Sequence, residues 1–134
     1  MIIKINHVLI VLLLVFSPLA NANTSAPCKG GLPISEESLF GSWVESNGEA
    51  VSYVTYSSDK TFSGRIEINN KLFWEFSGTW YLKGNIKYTT YTYSSLDKIK
   101  AGLTDSDEIL EITCSEYKFK NKSGRLGSVQ RHNT

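Results

Sequence analysis

The sequence predicts an all-β fold: eight short antiparallel strands closing into an up-and-down barrel, with a short helical turn before the first strand. Two observations carry this prediction. In residues 72–81 (LFWEFSGTWY), Trp74, Phe76, Gly78 and Trp80, continued by Leu82, fall on one side, and Glu75, Ser77, Thr79 and Tyr81 fall on the other. Alternation with a period of two is the mark of a strand with one buried face, whereas a helix would spread the same aromatics around its circumference. The second observation is the turn chemistry on either side, Asn69-Asn70-Lys71 before and Lys83-Gly84-Asn85 after, which suits tight hairpins.

The chain opens on residues to be set aside before the fold is considered. Residues 8–16 (VLIVLLLVF) are an unbroken apolar run behind Lys4, Pro18 ends it, and Ala20-Asn21-Ala22 has the small-x-small pattern of a signal-peptidase site. A bilayer-spanning helix needs about 20 apolar residues. Residues 1–22 are therefore expected to be a cleaved signal peptide, leaving no membrane span. A lipid anchor is disfavoured because Pro27, not a small residue, precedes Cys28. The address is periplasmic or secreted.

Removing 22 of 134 residues leaves 112, with 13 Lys and Arg against 13 Asp and Glu. One domain and no net charge follow, and a nucleic-acid partner is disfavoured for want of a basic surplus. Cys28 and Cys114 are the two cysteines. In an exported protein an even count favours a disulfide between them, worth roughly 4 to 5 kcal/mol for so long a loop.

Residues 23–38 are read as a lead-in. Its end, Ser35-Glu36-Glu37-Ser38, suits one helical turn, with Ser35 as N-cap and two acids at the positive end of the dipole. The barrel is expected over residues 39–134. Strands are predicted at 39–45, 50–57, 61–68, 72–81, 86–93, 108–114, 117–120 and 126–131. A polar loop is expected over 94–107. Consecutive strands with one apolar face each are best served when the sheet closes and removes its edges. Phe62-Ser63-Gly64 recurs as Phe76-Ser77-Gly78, placing a glycine on each of two neighbouring strands, where barrel walls often bend.

Gly41-Ser42-Trp43 on the first strand and Arg131 on the last resemble the lipocalin and fatty-acid-binding superfamily. The segments 61–64 (TFSG), 76–85 (FSGTWYLKGN) and 107–113 (DEILEIT) are similar to small bacterial lipocalin-like domain proteins, and the resemblance spans roughly residues 38–131. It implies an up-and-down barrel in which Trp43 packs beneath the barrel near Arg131. The chain is much shorter than full-size lipocalins.

Catalytic chemistry finds little support. After signal cleavage the single histidine is His132, near the C-terminus, whereas hydrolytic triads need a base positioned beside the nucleophile. The protein is not expected to be an enzyme, and no cofactor or metal is expected. Asp105-Ser106-Asp107-Glu108 has the alternating carboxylates calcium favours, but lacks the full ligand ladder and the turn glycine, and suits a solvated loop. Glu67 and Glu75 are assigned to the polar strand faces. Lys118, Lys120, Lys122 and Arg125 on the closing hairpin suit a solvated edge or, less often, a partner patch.

The aromatics are the richest signal. Trp74, Phe76, Trp80 and Phe62, with Tyr88 on the next strand, are the candidate ligand-binding residues; Ile66 joins them. They either line a cavity for a small apolar molecule or fill the core of a narrow barrel. A second set, Phe73, Tyr81, Tyr91 and Tyr93, is expected to face outward, as a protein-binding surface would. The functional expectation is an exported lipocalin-like protein that binds or carries a small apolar molecule. The alternative is a protein-binding module, a secreted inhibitor or envelope accessory factor, with a filled barrel.

Overall fold

The structure, a computed structural model, describes residues 30–133. The expected signal peptide and Cys28 lie outside the described residues, so the Cys28–Cys114 pairing does too. A four-residue helix, α1 (Glu36–Leu39), precedes eight strands: β1 (Gly41–Asn47), β2 (Ala50–Tyr56), β3 (Thr61–Ile68), β4 (Lys71–Lys83), β5 (Ile86–Ser94), β6 (Thr104–Ile112), β7 (Glu116–Asn121) and β8 (Leu126–Arg131). Each strand pairs antiparallel with the next and β8 returns to β1, giving a closed barrel in sequence order.

Local chemistry sets the turns. Asn69 and Asn70 between β3 and β4 both have positive φ, 52° and 61°, as a type I′ hairpin turn requires and asparagine tolerates. β4 carries the alternation that defines the barrel. Phe76, Gly78 and Trp80 are buried, while Phe73, Glu75, Thr79 and Tyr81 between them are exposed.

One end of the barrel is plugged. Leu39 of α1 is wholly buried, and Trp43 Nε1 donates to its carbonyl at 2.8 Å. The Arg131 guanidinium lies over the Trp43 ring, 4.1 Å from its centroid, and donates to the carbonyls of Cys114, Phe40 and Ser38 at 2.8, 2.9 and 3.1 Å. Glu36 forms an ion pair with Lys60 and accepts from the Leu82 amide at 3.3 Å. Phe40 packs edge-on against Trp80. The helix is far too short to be stable alone, so these ties hold it across the barrel end.

The opposite end has a weak seam. β1 and β8 pair only at Trp43↔Arg131 and Val44↔Gln130. Towards the open end the two strands have no ladder, and an Arg125–Glu45 ion pair at 3.1 Å spans that side.

Among the boundaries that differ from expectation, two strand starts have a clear cause. β1 begins at Gly41, because residues 39 and 40 end the helix and cap it. β6 begins at Thr104, four residues before the expected start, so Asp105 to Glu108 are strand and not loop.

Candidate functional site

The barrel encloses a cavity of about 240 Å³. Its apolar wall comes from β2, β3, β4 and β5: Val54, Phe62, Ile66, Trp74, Phe76 and Tyr91. These rings hold one another in place. Trp74 and Phe76 have centroids 4.4 Å apart, and Tyr91 lies within 5.6 to 5.7 Å of Phe62, Trp74 and Phe76. Trp74 Nε1 donates to Ser94 Oγ at 2.9 Å, satisfying the indole N–H at the wall's edge.

The other side of the cavity is polar. Lys87 of β5, only 3% exposed, points inward and donates to Tyr56 Oη at 2.8 Å and Tyr117 Oη at 3.3 Å. Asp107 of β6 lies 3.5 Å from its Nζ. Burial opposes the ammonium, but Tyr117, Tyr56 and Asp107 outweigh it and hold Lys87 well above the ordinary lysine range. The phenols act as charges only once ionised, so near neutrality Asp107 is the counter-charge. Burial also raises the Asp107 carboxyl above its usual range, against the pull of Lys87, and Asp105 adds to the rise. Tyr91 is pushed up to about 12, by burial first and then by Asp105. Asp105, Asn121, Arg125 and Glu45 complete this polar side.

The expected site residues divide. Phe62, Trp74 and Phe76 come together on the wall, as does Ile66. Trp80 is buried but sits away from the cavity, donating through Nε1 to the Ser57 carbonyl at 3.2 Å and packing on Phe40 and Tyr56. Its place is the plugged end. Tyr88 is a correction: it does not line the cavity but stacks on the exposed Tyr81, centroids 4.9 Å apart and planes 16° from parallel. Lys87 takes the inward phase at that point because three polar partners await it. Tyr91 is a second correction. The register of β4 and β5 slips between Ser77 and Gly78, pairing Gly78 with Tyr91 and Ser77 with Tyr93. Tyr91 continues the inward phase of Lys87 and Thr89 on β5, and the extra residue, Thr92, then turns Tyr93 outside, 52% exposed.

The polar half of the site does not follow from the local sequence pattern. The signal for it was present in the paired carboxylates Asp105 and Asp107, two residues apart, and in Lys87 amid β-formers. On the outer face the lysines meet acids, Lys118 with Glu111 and Glu116 and Lys120 with Glu108, while Lys122, just past β7, reaches Asp105. Among the described residues no group of three or more His, Cys, Asp or Glu could hold a metal ion, and no helix is long and apolar enough to cross a membrane.

Fold and cavity together define a closed, eight-stranded antiparallel barrel with one plugged end, a form compatible with a binding protein. A solved NMR structure of a protein from Bacteroides uniformis ATCC 8492 is similar, with 21% identity over 78% of this chain and 96% of that one and a TM-score of 0.55. At that identity the likeness carries the fold alone. No family model matches the chain, and no curated protein matches it.

Proposed function

We propose that this is an exported, lipocalin-like binding protein that holds a small, largely apolar molecule inside its barrel. The observation that carries the proposal is the cavity of about 240 Å³ walled by Phe62, Trp74 and Phe76. Concave apolar sites with a few convergent polar groups are the common form of small-molecule sites. The lipocalin-like assignment draws on the meander, the Trp43–Arg131 contact and the short helix across the barrel end. Export draws on residues 1–22, and the oxidising compartment that follows favours the Cys28–Cys114 bridge.

Binding is proposed in place of catalysis. The buried amine that faces the cavity, Lys87, is engaged by Tyr56, Tyr117 and Asp107, which favours the ammonium form, and that form lacks the lone pair a covalent lysine mechanism needs. A second reading, protein binding, has its own support: the Tyr81–Tyr88 stack with the exposed Phe73 and Tyr93 on the outer wall.

Titration with indole tests the first reading. A ligand at a hundred times its Kd stabilises the native state by about 2.7 kcal/mol. The expected result is a saturable change in tryptophan fluorescence and a rise of several degrees in Tm. If indole and a panel of comparable apolar probes move neither signal, the carrier reading fails and the protein-binding reading replaces it.

A further inference from the structure

We infer that the cavity selects a small organic amine, a protonated nitrogen carried on a flat apolar body of one or two rings. This rests on the carrier reading above and narrows it to a ligand class.

Size and shape fix the body. An apolar cavity of about 150 Å³ takes benzene, so the 240 Å³ here suits a bicyclic ring system or a benzene ring with a short chain. A long acyl chain exceeds it. The aromatic wall of Phe62, Trp74, Phe76 and Tyr91 supplies flat faces for that body.

Charge fixes the head group. Five ionisable groups line the cavity in addition to its tyrosines: Glu45, Lys87, Asp105, Asp107 and Arg125. Their formal charges leave one negative in surplus. Each cation already has its own carboxylate, Lys87 with Asp107 at 3.5 Å and Arg125 with Glu45 at 3.1 Å. Asp105 is left with Lys122 at 4.0 Å, where the two side chains are 54% and 61% exposed, a pairing that contributes little. Asp105 and Asp107 project to the same face of β6, two residues and roughly 7 Å apart. They lie on the strand paired with β5, so Asp105 sits beside the Tyr91 side of the aromatic wall.

A neutral ligand would leave that surplus uncompensated, and an anion would add to it. A carboxylate would also have to compete for Lys87 with Tyr56 and Tyr117, which accept its hydrogen bonds, and with Asp107, its ion-pair partner. An ammonium neutralises the surplus. It gains Asp105 as a direct partner and the faces of Trp74 and Tyr91 as a π surface.

Three probes with one ring system separate body from head: tryptamine (cation), indole (neutral) and indole-3-acetate (anion). They are titrated calorimetrically at neutral pH and low salt into the mature protein and its Asp105→Asn variant. Asp105 is more than half exposed, so the variant is expected to fold, which circular dichroism checks. The wild type should bind tryptamine at least tenfold tighter than indole, and indole-3-acetate more weakly than indole. In Asp105→Asn the tryptamine-to-indole ratio should fall to near one. Indole-3-acetate binding as tightly as tryptamine, or a tryptamine preference that survives Asp105→Asn, overturns amine selection while leaving the carrier reading standing. Binding by none of the three overturns both.

Discussion

Phe76 lies directly across the β3–β4 ladder from Gly64, and in the mirror relationship Phe62 lies across from Gly78. Each ring covers the neighbouring strand's glycine. A Cβ at Gly64 would come 2.6 Å from the Phe76 ring and from the Tyr53 carbonyl, and one at Gly78 would come 1.9 Å from the Thr90 carbonyl. The Phe-Ser-Gly repeat is thus a reciprocal pair that lets two rings lie flat on the wall and face the cavity. Gly78→Ala is expected to cost about 3 kcal/mol or more, the upper end for overpacking, since backbone and not a side chain must yield. Urea denaturation checks this, and a cost under about 1 kcal/mol would contradict the contact.

Gly127 offers a contrasting case. The three atoms nearest to a Cβ there are all in the Phe119 ring, at 2.4, 2.6 and 3.2 Å. Gly127→Ala alone should destabilise, and Phe119→Leu should relieve much of that clash. A double-mutant cycle should therefore return a favourable coupling of about 1 kcal/mol or more. Additive single effects would show that the ring does not rest on the glycine.

The plugged end depends on Trp43. It is 1% exposed, with its indole N–H bonded to α1 and its face under Arg131. Trp43→Ala should cost roughly 3 to 5 kcal/mol. Arg131→Lys keeps the charge but cannot reach three carbonyls in a planar fork, so it too should destabilise and should loosen α1, read as faster amide exchange at Phe40 and Leu82. Unchanged stability in both variants would contradict the account of the plug.

Lys87 gives the pH dependence its sign. Its folded pKa is raised above the unfolded value of 10.5, so its contribution is fully present below that pH and is lost as pH rises through the higher folded value. Tyr91, raised from 10.0 to about 12, acts in the same direction. Stability should therefore fall above about pH 10. Lys87→Met should lower stability near neutrality, because Asp107 is left buried beside no cation, and should flatten the alkaline fall. A variant with an unchanged alkaline slope would show that Lys87 titrates as in the unfolded chain.

How much of this was legible follows from which residues obey the simple alternation of apolar in and polar out. β4 obeys it from Trp74 to Trp80, and the hairpin turns carry their own chemistry, so the barrel and the wall of Phe62, Trp74 and Phe76 are legible directly. β5 breaks it twice. Lys87 faces inward because tyrosines and an aspartate on other strands pair with it, which puts Tyr91 on the inward phase too, and the bulge at Thr92 then turns Tyr93 out. Those partners are 20 or more residues away in sequence, beyond what a local pattern contains. β6 was read too short for a related reason: its inward Asp105 and Asp107 resemble loop chemistry until the cavity they face is known.

The central claim is that the ligand sits inside the barrel, and the outer wall offers a rival location. A depression of about 370 Å³ there is lined by Tyr53, Thr55, Ser63, Arg65 and Tyr93. Intermolecular NOEs from bound indole to methyl groups distinguish the two places. The account predicts NOEs to Val54 and Ile66, whose side chains line the interior, and none to Thr55. NOEs to the Thr55 methyl with none to Val54 or Ile66 would place the ligand outside and contradict it.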